Sequence, residues 1–263
     1  MSVAFAFTNV PVAPMRAEPN HKAEQVNQLL FGEKVEIAET NNREWCKIKN
    51  LADGYQGWCK QAQLTLMTHK DYQKETKYLV TSNASRLELP ENIMWLPIGC
   101  ELPGLKNGKI AIQNIQGDFK GDKTKVKDIQ INTDLLHRTA LQLLYAPYQW
   151  GGRTTAGIDC SGFTQLVYKL CNIPLQRDAS QQALQGEMVG FLQNSQLGDL
   201  AFFDDKDGKI IHVGLLLDHQ TIIHASDTAG RVAIDRIDQG GIISLTQRRR
   251  THQLRVVKRV FGV

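Results

Sequence analysis

Along the first quarter of the chain, apolar and polar positions alternate in short runs of period two. Val35 and Ile37 face one way within 33–38, and further runs cover 45–48 and 57–64. Turn residues separate these runs at the spacing of a small barrel. A second strand series opens at Tyr78-Leu79-Val80 and continues through 86–90 and 92–97. Asn107-Gly108 marks the tip of a hairpin, and the charged stretch 120–127 reads as a loop or linker. The period then changes. Residues 133–144 place Leu135, Leu136, Thr139, Leu143 and Leu144 mostly on one face of a helix, which Thr133 can cap and Pro147 ends. Phe163, Leu166, Val167, Leu170 and Cys171 give a second helical stripe, with Asp159 as its N-cap and Pro174 as its limit. A third helix is expected over 179–189, capped by Asp178. Strand patterns return at 198–203, 210–217 and 221–226, the last two forming a hairpin around 218–220. The pattern divides the chain into 1–75, 76–130 and 131–263.

Composition narrows this picture only slightly. The chain has 263 residues, 42% hydrophobic and 22% charged, an ordinary globular balance. A net charge of +4 calls for no nucleic acid. No apolar run approaches about 18 residues, so no membrane span is expected. The apolar run 1–12 has no basic segment before it and no small-residue cleavage pattern after it. It is not read as a signal peptide. The expected location is therefore cytoplasmic, or periplasmic or secreted if a signal has been removed. The five cysteines include no C-x-x-C pair, so neither a zinc site nor a disulfide framework is expected. Cys46 and Cys59 share one β-rich segment, where they read as paired small hydrophobes.

The candidate chemistry lies at Ile158-Asp159-Cys160-Ser161-Gly162-Phe163. A thiol at a helix N-terminus is a possible nucleophile, because helix N–H groups stabilise the thiolate. Its neighbours here are Asp159, Ser161 and Gly162 rather than core residues. Cys171, on the apolar stripe, reads as inert. A nucleophile needs a base, and His212 and His224 fall on adjacent strand-like segments. Side chains alternate across a sheet, so these two share a face only if their strands pair with an even register. A three-residue loop or a bulge between Leu217 and Ile222 is therefore expected, with His212 opposite Ser226. His21, His69, His137, His219 and His252 have no comparable setting, and Arg248-Arg249-Arg250 reads as a solvated face. By residue type alone, Glu24 is a solvated acid, Tyr55 a surface aromatic, and Asp178 as much a cap as a ligand.

Five segments carry a resemblance. These are Pro147-Tyr148-Gln149-Trp150-Gly151-Gly152, Asp159-Cys160-Ser161-Gly162-Phe163, Gly198-Asp199-Leu200, His212-Val213-Gly214 and Ile223-His224-Ala225-Ser226. In order and spacing they resemble the NlpC/P60 family of cysteine peptidases. Upstream, Phe31-Gly32-Glu33, Glu44-Trp45-Cys46-Lys47-Ile48 and Gly54-Tyr55-Gln56-Gly57-Trp58 resemble a bacterial SH3-like domain, and 76–130 a second, divergent one. The implied fold class is α+β, a papain-like catalytic domain preceded by two small SH3-like β-barrels. The resemblance implies Cys160 as nucleophile, His212 as base, His224 as the polar third residue and Tyr148 at the oxyanion site. In the branch with SH3-like domains it further implies cleavage of the γ-D-Glu–diamino acid bond in peptidoglycan peptides with a free N-terminal L-Ala. There the first barrel narrows the cleft, and the substrate-binding roles fall on Glu24, Tyr55, Trp150, Asp159, Ser161 and Asp178. Ala179 departs from the pattern, standing where relatives often have Ser. No metal or cofactor is expected; the partners are peptidoglycan stem peptides, with no nucleic acid, and the chain is expected to be a monomer. The competing readings are an endolytic hydrolase of intact peptidoglycan and a wall-binding protein without activity.

Overall fold

The computed structural model describes residues 4–41 and 44–261. The first three residues of the apolar run 1–12 thus lie outside the described residues. The chain divides into two compact units, Met1–Ile129 and Gln130–Val263.

In the first unit a seven-stranded antiparallel sheet runs in the order Gln25–Leu30, Val12–Arg16, Gln56–Lys60, Trp45–Asn50, Lys34–Thr40, Ala4–Thr8 and Leu64–Met67. The alternation read in the sequence buries Val35, Ile37, Cys46, Ile48 and Cys59 in one core with Met15 and Leu29. Cys46 and Cys59 pair directly across two strands and remain free thiols. The single strand expected over 57–64 breaks at the short 3-10 turn Gln61–Gln63. That break lets Leu64–Met67 turn away and pair with Ala4–Thr8. Residues 86–120 add a five-stranded sheet in the order Ile93–Trp95, Arg86–Glu88, Ile115–Lys120, Lys109–Ile112 and Leu105–Lys106. Its hairpin turns at Asn107 and Gly108, both with positive φ, as a two-residue primed turn requires. Backbone hydrogen bonds join the two β segments, among them Glu101 N–H to Phe31 O at 2.9 Å.

In the second unit, helix α1 covers Thr133–Leu141, α2 Cys160–Leu170 and α3 Ala179–Gln182. The strands of its large sheet are β1 Glu187–Val189, β2 Leu200–Asp204, β3 Ile210–Leu216, β4 Thr221–Ser226, β5 Arg231–Asp238, β6 Gly241–Ser244 and β7 Arg249–Arg259. They are ordered β1-β7-β2-β3-β4-β5-β6, and β6 also pairs with β7. Six strands therefore close into a barrel, with β1 as an outer edge. Two expectations are corrected. The cap of α1 is Asn132, whose side chain accepts from Leu135 N–H at 2.8 Å, not Thr133. The helix expected over 179–189 stops at Gln182: Gly186 adopts φ +73° and β1 takes an open edge of the sheet against β7. Local helical pattern yields there to sheet hydrogen bonding. Helix α2 is buried on nearly every side rather than along a stripe; only Lys169 is partly exposed. Among the described residues no helix is long and apolar enough to cross a membrane.

Candidate active site

Helix α2 begins at Cys160 because Asp159 ends the extended backbone and caps it. The Asp159 carboxylate accepts from Gly162 N–H at 2.7 Å and Gly151 N–H at 2.8 Å. Such a cap satisfies N–H groups that a helix start otherwise leaves unpaired. Ser161 Oγ and the Arg177 guanidinium also donate to it, the latter through both oxygens at 3.0 and 2.5 Å. Arg177 donates to Ser161 Oγ as well, at 2.7 Å. This buried, bidentate pair fixes the loop before α3 against the start of α2. Gln182 adds a second tie, accepting from Thr164 Oγ1 at 2.7 Å and donating to Ser161 O at 3.0 Å. Gly162 leaves no room for a side chain: a Cβ there would lie 2.3 Å from Gly152 O. The glycines around Trp150 thus let a loop press directly on the start of α2.

The histidines come from the barrel. Strands β3 and β4 pair Leu215 with Ile223 and Leu216 with Ile222. The paired numbers add to an even total, so the hairpin loop is the three residues 218–220. Continuing this register sets Gly214 opposite His224. A Cβ on Gly214 would lie 2.9 Å from His224 Cβ and 2.7 Å from Ile222 Cδ1. His212 therefore shares a face with His224, and its Nε2 lies 2.8 Å from His224 Nδ1. On the far side, His224 Nε2 is 3.2 Å from Asp235 Oδ2. His252, on β7, stacks on the His212 ring at a centroid distance of 4.2 Å and 24° between planes.

The thiol meets this row at β3. Backbone N–H groups of Val213 and Ser161 point at the Cys160 sulfur. The sulfur thus lies against the residue that follows His212. With His212 Nε2 engaged by His224, Nδ1 is the ring nitrogen left for the thiol. Burial, and then the negative charge of Asp159, push the Cys160 pKa up to about 12. Burial, with His224 and His252 beside it, holds His212 well below the ordinary imidazole value. Both groups are uncharged at neutral pH. Such a pair generates its nucleophile when the thiol proton moves to the imidazole, which is general-base chemistry. Tyr148 is half-buried, and burial and then the charges of Cys160 and Asp159 raise its phenol. It stays an O–H donor beside the sulfur.

The structure brings Cys160, His212, His224, Tyr148, Asp159 and Ser161 together. Asp159 already takes five donors, so any substrate amine reaching it shares a filled carboxylate. Trp150 is 60% exposed on the loop next to Gly151. Asp178 starts α3, its N–H donating to Gln181 Oε1 at 3.2 Å. In the first unit, Glu24 is exposed at the turn into Gln25–Leu30, and Tyr55 packs half-buried on that unit's core. Three residues at the site carry no role in the sequence reading: Arg177, Asp235 and His252. Asp235 leaves the weakest trace, an acid at a buried position of an otherwise alternating strand. Arg177 stands next to Asp178, but nothing in the sequence shows which carboxylate it meets.

The chain is similar to known proteins in sequence and fold. The model of the NlpC/P60 family matches residues 145–251, and that of the bacterial dipeptidyl-peptidase SH3 domain matches 15–64. The chain is 29% identical over 253 residues to the gamma-D-glutamyl-L-lysine dipeptidyl-peptidase of Bacillus subtilis (strain 168), covering 89% of this chain and 81% of that protein. It is 26% identical to dipeptidyl-peptidase 6 of Lysinibacillus sphaericus, covering 87% and 90%. Its fold is similar to that of an NlpC/P60 family protein from Bacillus cereus ATCC 10987, with a TM-score of 0.84, 22% identity, and coverage of 98% and 100%. From the buried thiol at a helix start, the histidine row and these matches together, the chain carries an NlpC/P60 domain, C-terminal to a bacterial dipeptidyl-peptidase SH3 domain.

Proposed function

We propose that the protein is a cysteine peptidase that cleaves the γ-D-Glu–diamino acid bond of peptidoglycan-derived peptides bearing a free N-terminal L-Ala. The observation that carries this is that Cys160, at the capped start of α2, lies against Val213, the residue that follows His212 in the His212–His224 pair. In this reading the Cys160 proton passes to His212 Nδ1 as sulfur attacks the γ-carbonyl of D-Glu. The Cys160 N–H and the Tyr148 hydroxyl receive the oxyanion. The imidazolium of His212 returns the proton to the leaving amine, and the thioester is then hydrolysed by water that His212 activates. Asp159 and Arg177 set the helix start, while Ser161, Trp150 and Asp178 line the substrate side. Glu24 and Tyr55 are assigned to the substrate amine by resemblance and residue chemistry: a buried ammonium needs a partner charge. The same reading takes the NlpC/P60 domain as a papain-like α+β domain and residues 76–130 as a second SH3-like barrel. It also takes the chain as a monomer.

The test is mass spectrometry of products from L-Ala-γ-D-Glu-diaminopimelate and its lysine counterpart, with Cys160→Ala as the blank. Release of L-Ala-D-Glu by the native protein and not by the variant is expected. Intact peptidoglycan forms the second arm. Solubilisation of intact wall without action on free peptides points instead to an endolytic hydrolase, and no Cys160-dependent product in either arm removes the peptidase reading.

A further inference from the structure

The histidine row does not end at His224. Asp235 Oδ2 lies 3.2 Å from His224 Nε2, and Asp235 Oδ1 accepts from Leu245 N–H at 2.7 Å. Asp235 and His224 are both buried. We propose that Asp235 is a positioning residue that fixes the tautomers of both imidazoles and so presents an unprotonated His212 Nδ1 to Cys160.

The argument follows the protons. A carboxylate only accepts hydrogen bonds. Burial alone would raise the Asp235 carboxyl, but hydrogen bonds from His224 and Leu245 bring it below its ordinary value, so it is ionised. Neutral His224 then carries its proton on Nε2, facing Asp235. Its Nδ1 is left as an acceptor. The 2.8 Å contact from His224 Nδ1 to His212 Nε2 needs one proton, which must come from His212. Neutral His212 is thereby protonated on Nε2 and bare on Nδ1, the form a general base requires. His252 does not set this order. His252 stacks on His212 through its ring face, and its own Nδ1 contacts Thr251 Oγ1. The direction of the whole row is decided at its buried acidic end.

Leu245 makes the idea testable with one isosteric change. In Asp235→Asn the amide oxygen keeps the Leu245 N–H, which turns the amide NH2 toward His224 Nε2. That nitrogen must then accept, so His224 carries its proton on Nδ1 and donates to His212 Nε2. The His212 proton is forced onto Nδ1, where it blocks the base. The 15N spectra of the imidazoles report each tautomer without substrate, with His212→Gln and His224→Gln giving the assignments. Native protein is expected to show Nε2–H on both rings, and Asp235→Asn to show Nδ1–H on both. In parallel, kcat should fall by ~10²- to 10⁴-fold with little change in KM, the upper figure being that of a serine triad whose aspartate is made asparagine. Asp235→Ala removes the direction without reversing it, so it should give mixed tautomers and a smaller loss. It also serves if Asp235→Asn does not fold.

A native His212 carrying its proton on Nδ1, or tautomers that neither variant alters, overturns the proposal. Reversed tautomers with unchanged kcat overturn the link to the base. The kinetic arm rests on the peptidase reading, whereas the spectra do not. A native protein without peptidase activity but with the expected tautomers loses that reading and keeps the relay.

Discussion

Cys160 and His212 are held uncharged by the same burial that hides them, and this sets their pH behaviour. A base whose pKa is lowered becomes protonated only at lower pH, so the acid limb of kcat/KM is expected below the ordinary imidazole value of about 6.5. His252 contributes to that lowering. His252→Phe keeps a ring in the stack and removes the second imidazole that competes with His212 for a proton, so the limb should move to higher pH; a limb that stays in place refutes the electrostatic part played by His252. His252 itself is held down to about 4, chiefly by burial and then by His224. The unfolded chain therefore takes up this proton first. The stability that results is complete above about pH 6.5 and is lost as pH falls toward 4. Thermal melts across that window should decline, less steeply in His252→Phe. Arg177 is the other decisive single residue. Arg177→Met leaves the Asp159 carboxylate buried without its counter-charge, and denaturant unfolding should show a loss of ~3–5 kcal/mol. A loss below about 1 kcal/mol places the pair among exposed bridges, contrary to its burial.

Elements carry the site through register and close approach. The β3–β4 hairpin brings His212 and His224 to one face because its loop is an odd number of residues long. Gly214 permits this by offering His224 an empty position across the ladder. Gly214→Ala should destabilise the protein by ~1–3 kcal/mol, as overpacked cores do, and should lower kcat beyond what the fraction folded explains. Unchanged stability and turnover would show that the two strands separate without consequence. At this scale much was legible in the sequence. The Asp159 cap, the start of α2 at Cys160 and the shared face of the histidines each follow from short-range rules of capping and alternation. The helix expected over 179–189 shows the limit of those rules. Its residues are compatible with a helix, but a sheet edge supplied by β7, some 70 positions further along, competes for residues 187–189 and wins.

At the scale of the molecule, two compact units share one chain, and Glu24, for which amine selection is proposed, belongs to the first. Glu24→Ala should raise KM for L-Ala-γ-D-Glu-diaminopimelate by about tenfold, the order of one charge-assisted hydrogen bond. The same change should leave the N-acetylated peptide unaffected. Equal effects on both substrates would remove Glu24 from this role.

What the sequence determined by itself is local. Alternation defined the barrel strands, the cap residue defined the start of α2, and loop parity related His212 to His224, because each depends on residues close together along the chain. Only the tertiary structure decided which side chains complete the site. Arg177 reaches Asp159, His252 stacks on His212 from β7, and Asp235 closes the row from β5. These contacts form when barrel closure brings together strands and loops distant in the chain. Buried charges and imidazoles acquire their chemistry from such neighbours, and no local pattern records them.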